Sequence, residues 1–216
     1  MNDHKLYRSF VKLVLMKKLL FSIPAILLFN ISFAQVHFGF KGGLNLANVK
    51  NEGHDNNKAR PGFHAGGLLQ FDLQNKFFLR SELLYSVKGY RAPSTQFSGE
   101  ATVSLNYVNV VVLAGYQPAD KLSVFIGPEF GFLTAAKSKI DGRKFDISHS
   151  YRDFDIGIDL GAAYQLNKYF GIDLRYNYGF KDLMNVIFTD QFGNVTGEGK
   201  AGANRVLQLG LLVLIK

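Results

Sequence analysis

Two stretches near the C-terminal third alternate apolar and polar residues without a break, and that period limits the chain more than any other feature. Phe154, Ile156, Ile158, Leu160, Ala162 and Tyr164 oppose Asp155, Gly157, Asp159, Gly161, Ala163 and Gln165. Phe170, Ile172, Leu174, Tyr176, Tyr178 and Phe180 then oppose Gly171, Asp173, Arg175, Asn177, Gly179 and Lys181. Successive side chains of a strand point to opposite faces, so a period of two specifies β structure with one apolar and one polar face.

The pattern recurs along the chain. Val36, Phe38, Phe40, Gly42, Leu44 and Leu46 share a face opposite His37, Gly39, Lys41, Gly43, Asn45 and Ala47. Phe63 to Leu73 sets Phe63, Ala65, Gly67, Leu69 and Phe71 against His64, Gly66, Gln70 and Asp72. A third strand sets Leu79, Leu83, Tyr85 and Val87 against Arg80, Glu82, Ser86 and Lys88. Val124 to Phe132 opposes Phe125, Gly127, Glu129 and Gly131, and Leu207 to Ile215 opposes Gln208 and Gly210. Between Val103 and Gln117 both parities are apolar, and the Val108, Val110, Val112, Ala114 set is assigned outward. The sum is eight strands, each close to or slightly longer than the ~9 to 11 residues of a tilted membrane strand.

Connections alternate in length. Gln74-Asn75-Lys76, Pro118 to Lys121 and Asn167-Lys168 are tight turns; Asn48 to Arg60, Arg91 to Thr102, Lys137 to Arg152 and Asp182 to Ala203 are long polar loops. In an up-and-down meander all the long loops fall at one end, as in outer-membrane barrels with periplasmic turns and extracellular loops. A lipocalin-like barrel with an apolar cavity has the same period. Bulk separates the two, because an eight-stranded barrel has room inside only for modest side chains. The apolar faces carry too many Phe and Tyr residues for that lumen, so they face lipid, with Tyr116, Tyr164, Phe170, Tyr178 and Phe180 as interfacial girdles.

Ahead of this domain, Met16 to Gln35 reads as a signal peptide: Lys17 and Lys18, an apolar run from Leu19 to Phe33, and a small-residue exit at Ala34. The run, interrupted by Pro24 and Asn30, falls short of the ~20 residues of a spanning helix. Residues 1–15 read as a mis-assigned start, 16–34 as the signal peptide and 35–216 as the barrel domain. The formal charge of +8 does not indicate nucleic acid. Lys5, Arg8, Lys12, Lys17 and Lys18 against Asp3 supply half of it, and the remaining basic residues are scattered among acidic ones. The chain has no Cys, which excludes disulfides, Cys-ligated zinc and a thiol nucleophile.

The segments Val36 to Val49 (VHFGFKGGLNLANV), Glu82 to Gly89 (ELLYSVKG), Gly127-Pro128-Glu129 and Asp173 to Gly179 (DLRYNYG) resemble the PorT-type outer-membrane β-barrel proteins of Gram-negative bacteria. The resemblance implies a small barrel in the cell outer membrane. The founding member's association with secretion of exported proteases is not carried over. Partners expected on this reading are outer-membrane lipid, the insertion machinery during biogenesis, and surface or secretion partners reached through the loops. The chain ends Leu214-Ile215-Lys216 rather than in the aromatic residue many such barrels present, so insertion must tolerate that ending.

Charged residues on the lumen faces are Lys41, Asp72, Arg80, Glu82, Lys88, Glu129, Asp155, Asp159, Asp173, Arg175 and Lys181, with His37 and His64. An unpaired ion in a narrow lumen is expensive, so the expectation is a structural plug of paired charges built on Lys41, Arg80, Glu82, Lys88, Glu129, Asp159, Asp173 and Arg175. Glu82 and Glu129 are expected to meet Arg80, Lys88 or Arg175; an ion or proton path is the rival. No catalytic, cofactor or metal site is expected. His149-Ser150 could offer a base and nucleophile for a lipid-modifying enzyme but lacks a visible orienting acid. His54-Asp55 lacks further spaced ligands, and Asp190 to Gly199 lacks calcium-loop spacing. Asn194-Val195-Thr196 is a glycosylation sequon only in a eukaryotic secretory route, and no helix follows Gly39, Gly42 and Gly43 to make a phosphate loop. The expected function is a non-enzymatic outer-membrane barrel acting through its loops, with a secretion or transport accessory as the alternative.

Overall fold

The computed structural model describes residues 35–50, 57–93, 99–189, 195–200 and 202–215. The segment read as a signal peptide, the start read at Met16 and the His54-Asp55 pair lie outside the described residues. Among the described residues there are eleven strands: β1 (Gln35–Lys50), β2 (Lys58–Asp72), β3 (Phe77–Ala92), β4 (Ala101–Ala119), β5 (Leu122–Ile140), β6 (Arg143–Asp146), β7 (Phe154–Gln165), β8 (Phe170–Gly179), β9 (Asn185–Thr189), β10 (Val195–Lys200) and β11 (Ala203–Ile215). Eight of them, β1, β2, β3, β4, β5, β7, β8 and β11, pair in that order, every pair is antiparallel, and β1 pairs with β11 to close the ring. Closure leaves none of the eight ring strands at an edge, which is the condition for placing a sheet where no water can satisfy its backbone.

The outer and inner faces differ in the manner that lipid requires. Leu44 is 67% exposed and Phe38 62%, while Arg175, Glu129 and Asp173 on the other parity are nearly or wholly buried. In water such a surface would be an aggregation site; in a bilayer it is the solvated one. Ring pairs mark both rims of this belt. Phe77 meets Tyr116 at 5.0 Å at the turn end, and Phe63–Tyr85, Phe132–Phe154 and Tyr178–Phe180 meet at 6.2, 5.4 and 5.5 Å toward the loop end. Val108, Val110 and Val112 face outward as assigned, with the intervening Tyr107, Asn109 and Val111 fully buried.

Several expectations require correction. Five strands run 15 to 19 residues, well past the membrane-strand length. A 19-residue strand tilted at ~40° rises ~45 Å, so the wall continues beyond the ~25 Å apolar band. The loop assigned to Lys137–Arg152 begins instead as a hairpin, with β6 pairing onto the end of β5. Asp141 (φ 48°) and Gly142 (φ 83°) form its turn, the Asp-Gly sequence whose left-handed backbone matches strand twist. The next long loop likewise contains the β9–β10 hairpin. Val87, assigned to lipid, is buried beside the point where the β2–β3 register shifts. Finally, the lumen is not uniformly polar. Leu68, Phe78, Leu84, Val111, Leu113, Phe125, Leu212 and Leu214 form one interior apolar cluster, and Val49, Val103, Leu105, Tyr107, Ala136, Tyr151 and Leu183 form another.

Candidate functional site

The interior charges gather around Arg175. Its strand, β8, lies diametrically opposite β3 in the eight-membered ring, and the guanidinium crosses the barrel to bind Glu82 through two parallel bonds of 2.9 and 2.8 Å. The same group donates to Asp159 on β7 at 3.0 Å and stands 3.5 Å from Asp173. Planar, bidentate pairing is the geometry in which an Arg–carboxylate pair best offsets its desolvation. Lys41 pairs with Asp173 and lies 4.0 Å from Glu82. To reach β8 from β1 the lysine passes over β11 at Gly210, where a Cβ would sit 3.0 Å from both Lys41 Cε and His64 Nε2. A side chain at this position would press on the ends of Lys41 and His64, which would have to give by a few tenths of an ångström.

Arg80 fills the next level toward the turn end. Its Nε and a terminal nitrogen donate to Gln70 Oε1 at 3.0 and 2.6 Å, its guanidinium lies 3.9 Å from Glu82, and Phe78 and Phe125 flank it at 5.1 and 5.7 Å. Phe125 also lies 5.1 Å beneath Arg175. Opposite Phe125 in the register is Gly161, where a Cβ would come within 2.6 Å of the ring. The glycine thus makes room for the aromatic floor of the charge network.

Toward the loop end Lys88 donates to Glu129 at 2.6 Å and lies 3.8 Å from Asp155, above the Tyr107 ring. Asn177 joins the two clusters by donating to Glu129 Oε1 at 3.1 Å and Asp159 Oδ1 at 2.7 Å, and Asn204 donates to Asp155 at 2.7 Å. A neutral branch links Asn45 to His64 at 2.7 Å and to Ser86 at 3.0 Å. At the turn-end rim His37 meets Asp72 at 3.0 Å, with Asp72 about one third exposed.

The structure thus brings Lys41, Arg80, Glu82, Lys88, Glu129, Asp159, Asp173 and Arg175 into one buried network of four cations facing five carboxylates, Asp155 included. Lys181 does not join it. The residue follows the end of β8, and its ammonium stacks 5.1 Å over the outward Phe154 ring. Asn45 and Asn177, which strand parity puts inside, complete the network together with Asn204, which lies ahead of the last strand as read from the sequence. His149 and Ser150 occupy an exposed 3-10 turn, and no hydrogen bond joins their side chains among the described residues. Nearby, the Ser148 N–H donates to Asp146 at 2.9 Å and holds that exposed carboxyl below its ordinary range. Tyr151 closes the loop end against Tyr90, oxygen to oxygen at 3.0 Å; burial, and then the Tyr90 hydroxyl, push its phenol upward. Among the described residues no three His, Asp or Glu side chains are grouped to hold a metal ion.

A model of the outer membrane protein beta-barrel domain matches residues 33–185. Among solved structures, Neisserial surface protein A (NspA) is similar with a TM-score of 0.52 at 12% identity, covering 82% of this chain and 96% of that one. Ail, the attachment invasion locus protein of Yersinia pestis, gives 0.48 at 14% identity over 84% and 99% of the two chains. OprG from Pseudomonas aeruginosa gives 0.48 at 12% over 84% and 97%. The likeness to NspA is one of fold. No curated protein matches the chain.

Proposed function

The chain belongs to the outer membrane protein beta-barrel domain family, and from that membership we propose that it is a non-enzymatic integral protein of the outer membrane, of PorT type, exported by its signal peptide and acting through loops on the cell surface. The observation that carries this reading is the Arg175–Glu82 clamp across the barrel diameter. With Lys41, Asp159 and Asp173 packed around it and an apolar cluster at either end, it makes the barrel a rigid support rather than a conduit. Rigid scaffolds that carry mobile connections place recognition in the loops. The motifs from Val36 to Val49 and from Asp173 to Gly179 support the PorT assignment.

Two measurements test the reading. In planar bilayers the purified barrel is expected to show no stable conductance, and an ohmic pore would overturn it. Because the chain has no Cys, Arg143→Cys at the β5–β6 turn and Asp120→Cys at the β4–β5 turn report orientation cleanly. A membrane-impermeant maleimide added to intact cells is expected to label the first and spare the second. The reverse pattern would put the loops in the periplasm.

A further inference from the structure

At the loop end, the registers of five neighbouring strands place cations in one continuous row. Lys58 on β2 is opposite Arg91 on β3, Arg91 opposite Thr102 on β4, Thr102 opposite Lys139 on β5, and Lys139 opposite Lys144 on β6. Directly opposed residues of an antiparallel pair share a face, and like charges so placed repel. The row therefore contains two such repulsions, Lys58–Arg91 and Lys139–Lys144. None of its four cations forms an ion pair among the described residues, and all four are exposed. Two registers below, on the same face, Lys137 is by contrast opposite Asp146.

The row points sideways. The opposed pair next to it, Val103 and Ser138, is buried on the inner parity, so Thr102 and Lys139 belong to the outer wall. Descending that wall, the side chains pass from the cation row through Ser104, Asn106 and Thr134 to the register row Tyr85–Val108–Phe132–Phe154, where the apolar belt begins. Six residues along β3 separate Tyr85 from Arg91, which is ~20 Å of strand and ~15 Å along the axis of a barrel tilted at ~40°. The cations thus stand above the hydrocarbon, in the layer of headgroups and sugars, facing the neighbouring lipid rather than the medium above the loops.

We propose that this row is a binding surface for the phosphate groups of an outer-leaflet glycolipid. Four cations on the curved outer wall, on strands spaced by ~4.8 Å and with the Thr102 hydroxyl between the two pairs, match a headgroup carrying more than one phosphate. Bound phosphate would remove the two opposed like-charge pairs and fasten one side of the barrel to the lipid layer. The inference rests on the loop end facing outward.

The test uses the folded barrel in nanodiscs with a fluorescent bis-phosphorylated glycolipid as probe and its dephosphorylated form as control. Each cation near an anionic lipid surface is worth about fivefold in affinity, so the combined Lys58→Gln, Arg91→Gln, Lys139→Gln, Lys144→Gln variant is expected to bind at least tenfold more weakly. The turn-end variant Lys76→Gln, Lys121→Gln, Lys168→Gln removes three exposed cations and is expected to bind as wild type. Retention of the heat-modifiable band on SDS gels shows that each variant is folded. Equal affinity of the four-site variant and wild type overturns the proposal, as does equal binding of the dephosphorylated probe. Complete competition by millimolar inorganic phosphate also overturns it, because the site would then be a free-phosphate site. Failure of the Arg143→Cys label on intact cells overturns the orientation on which the proposal rests, and it reads out independently of lipid affinity.

Discussion

Arg175 and Arg91 are the same residue in two regions governed by opposite rules. Arg175 is wholly buried, and Glu82, Asp159 and Asp173 surround it. Arg91 is exposed on the outer wall opposite Lys58. In the lumen every charge must find a partner because the apolar clusters above and below exclude the water that would otherwise screen it. On the rim water and salt screen the charges, so the wall tolerates like-charge neighbours at small cost and leaves them available to an anion. On the proposed reading the lumen network serves stability, and recognition falls to charges such as those of the rim, which form no ion pair among the described residues.

The largest expected effect tests the first half of that contrast. Arg175→Met leaves three carboxylates buried without their common partner and is expected to cost ~3–5 kcal/mol or to abolish folding, read as loss of the heat-modifiable band in a urea titration. Lys88→Met is expected to cost ~3 kcal/mol by the same logic. Adding Glu129→Gln should restore part of the loss, with a coupling of ~1–3 kcal/mol in a double-mutant cycle; simple additivity would mean that the pair seen at 2.6 Å is not energetically coupled. Gly210→Val places a side chain against Lys41 and His64 and is expected to cost ~1–3 kcal/mol as overpacking, with the same urea readout. At the small end, Lys139→Gln on the rim is expected to change stability by no more than ~0.5 kcal/mol. Its sign should be stabilising in phosphate-free detergent, because it relieves the repulsion with Lys144, and the gain should fade as salt is raised. A rim substitution as costly as a lumen one would erase the comparison.

Eight strands, their facing and their closing order follow from alternation and from the alternation of short and long connections. Phe154 to Tyr164 and Phe170 to Phe180 are read without ambiguity because polar residues occupy every second position or are replaced there by Gly or Ala. β4 was harder for a physical reason. Lipid is as apolar as a leucine side chain, so a lipid-immersed barrel gains nothing by placing an apolar residue outside rather than inside. Only the polar residues report the face, and on β4 the buried Asn109 is the informative one. The same one-sidedness hid the interior cluster containing Leu84, Leu113 and Leu212. The β5–β6 hairpin was legible in Asp141-Gly142, but the run of charge around it resembles a loop.

The network separates what the chain order determines from what the closed fold decides. Sequence parity by itself placed Lys41, Arg80, Glu82, Lys88, Glu129, Asp159, Asp173 and Arg175 on one face, because a strand's period is fixed by its backbone geometry. That Arg175 meets Glu82, 93 residues away, was decided by ring closure, which sets β8 across from β3. The row from Lys58 to Lys144 likewise exists only through four strand registers. Pairing partners across a barrel depend on the sum of every register between them, a quantity no local stretch of sequence contains.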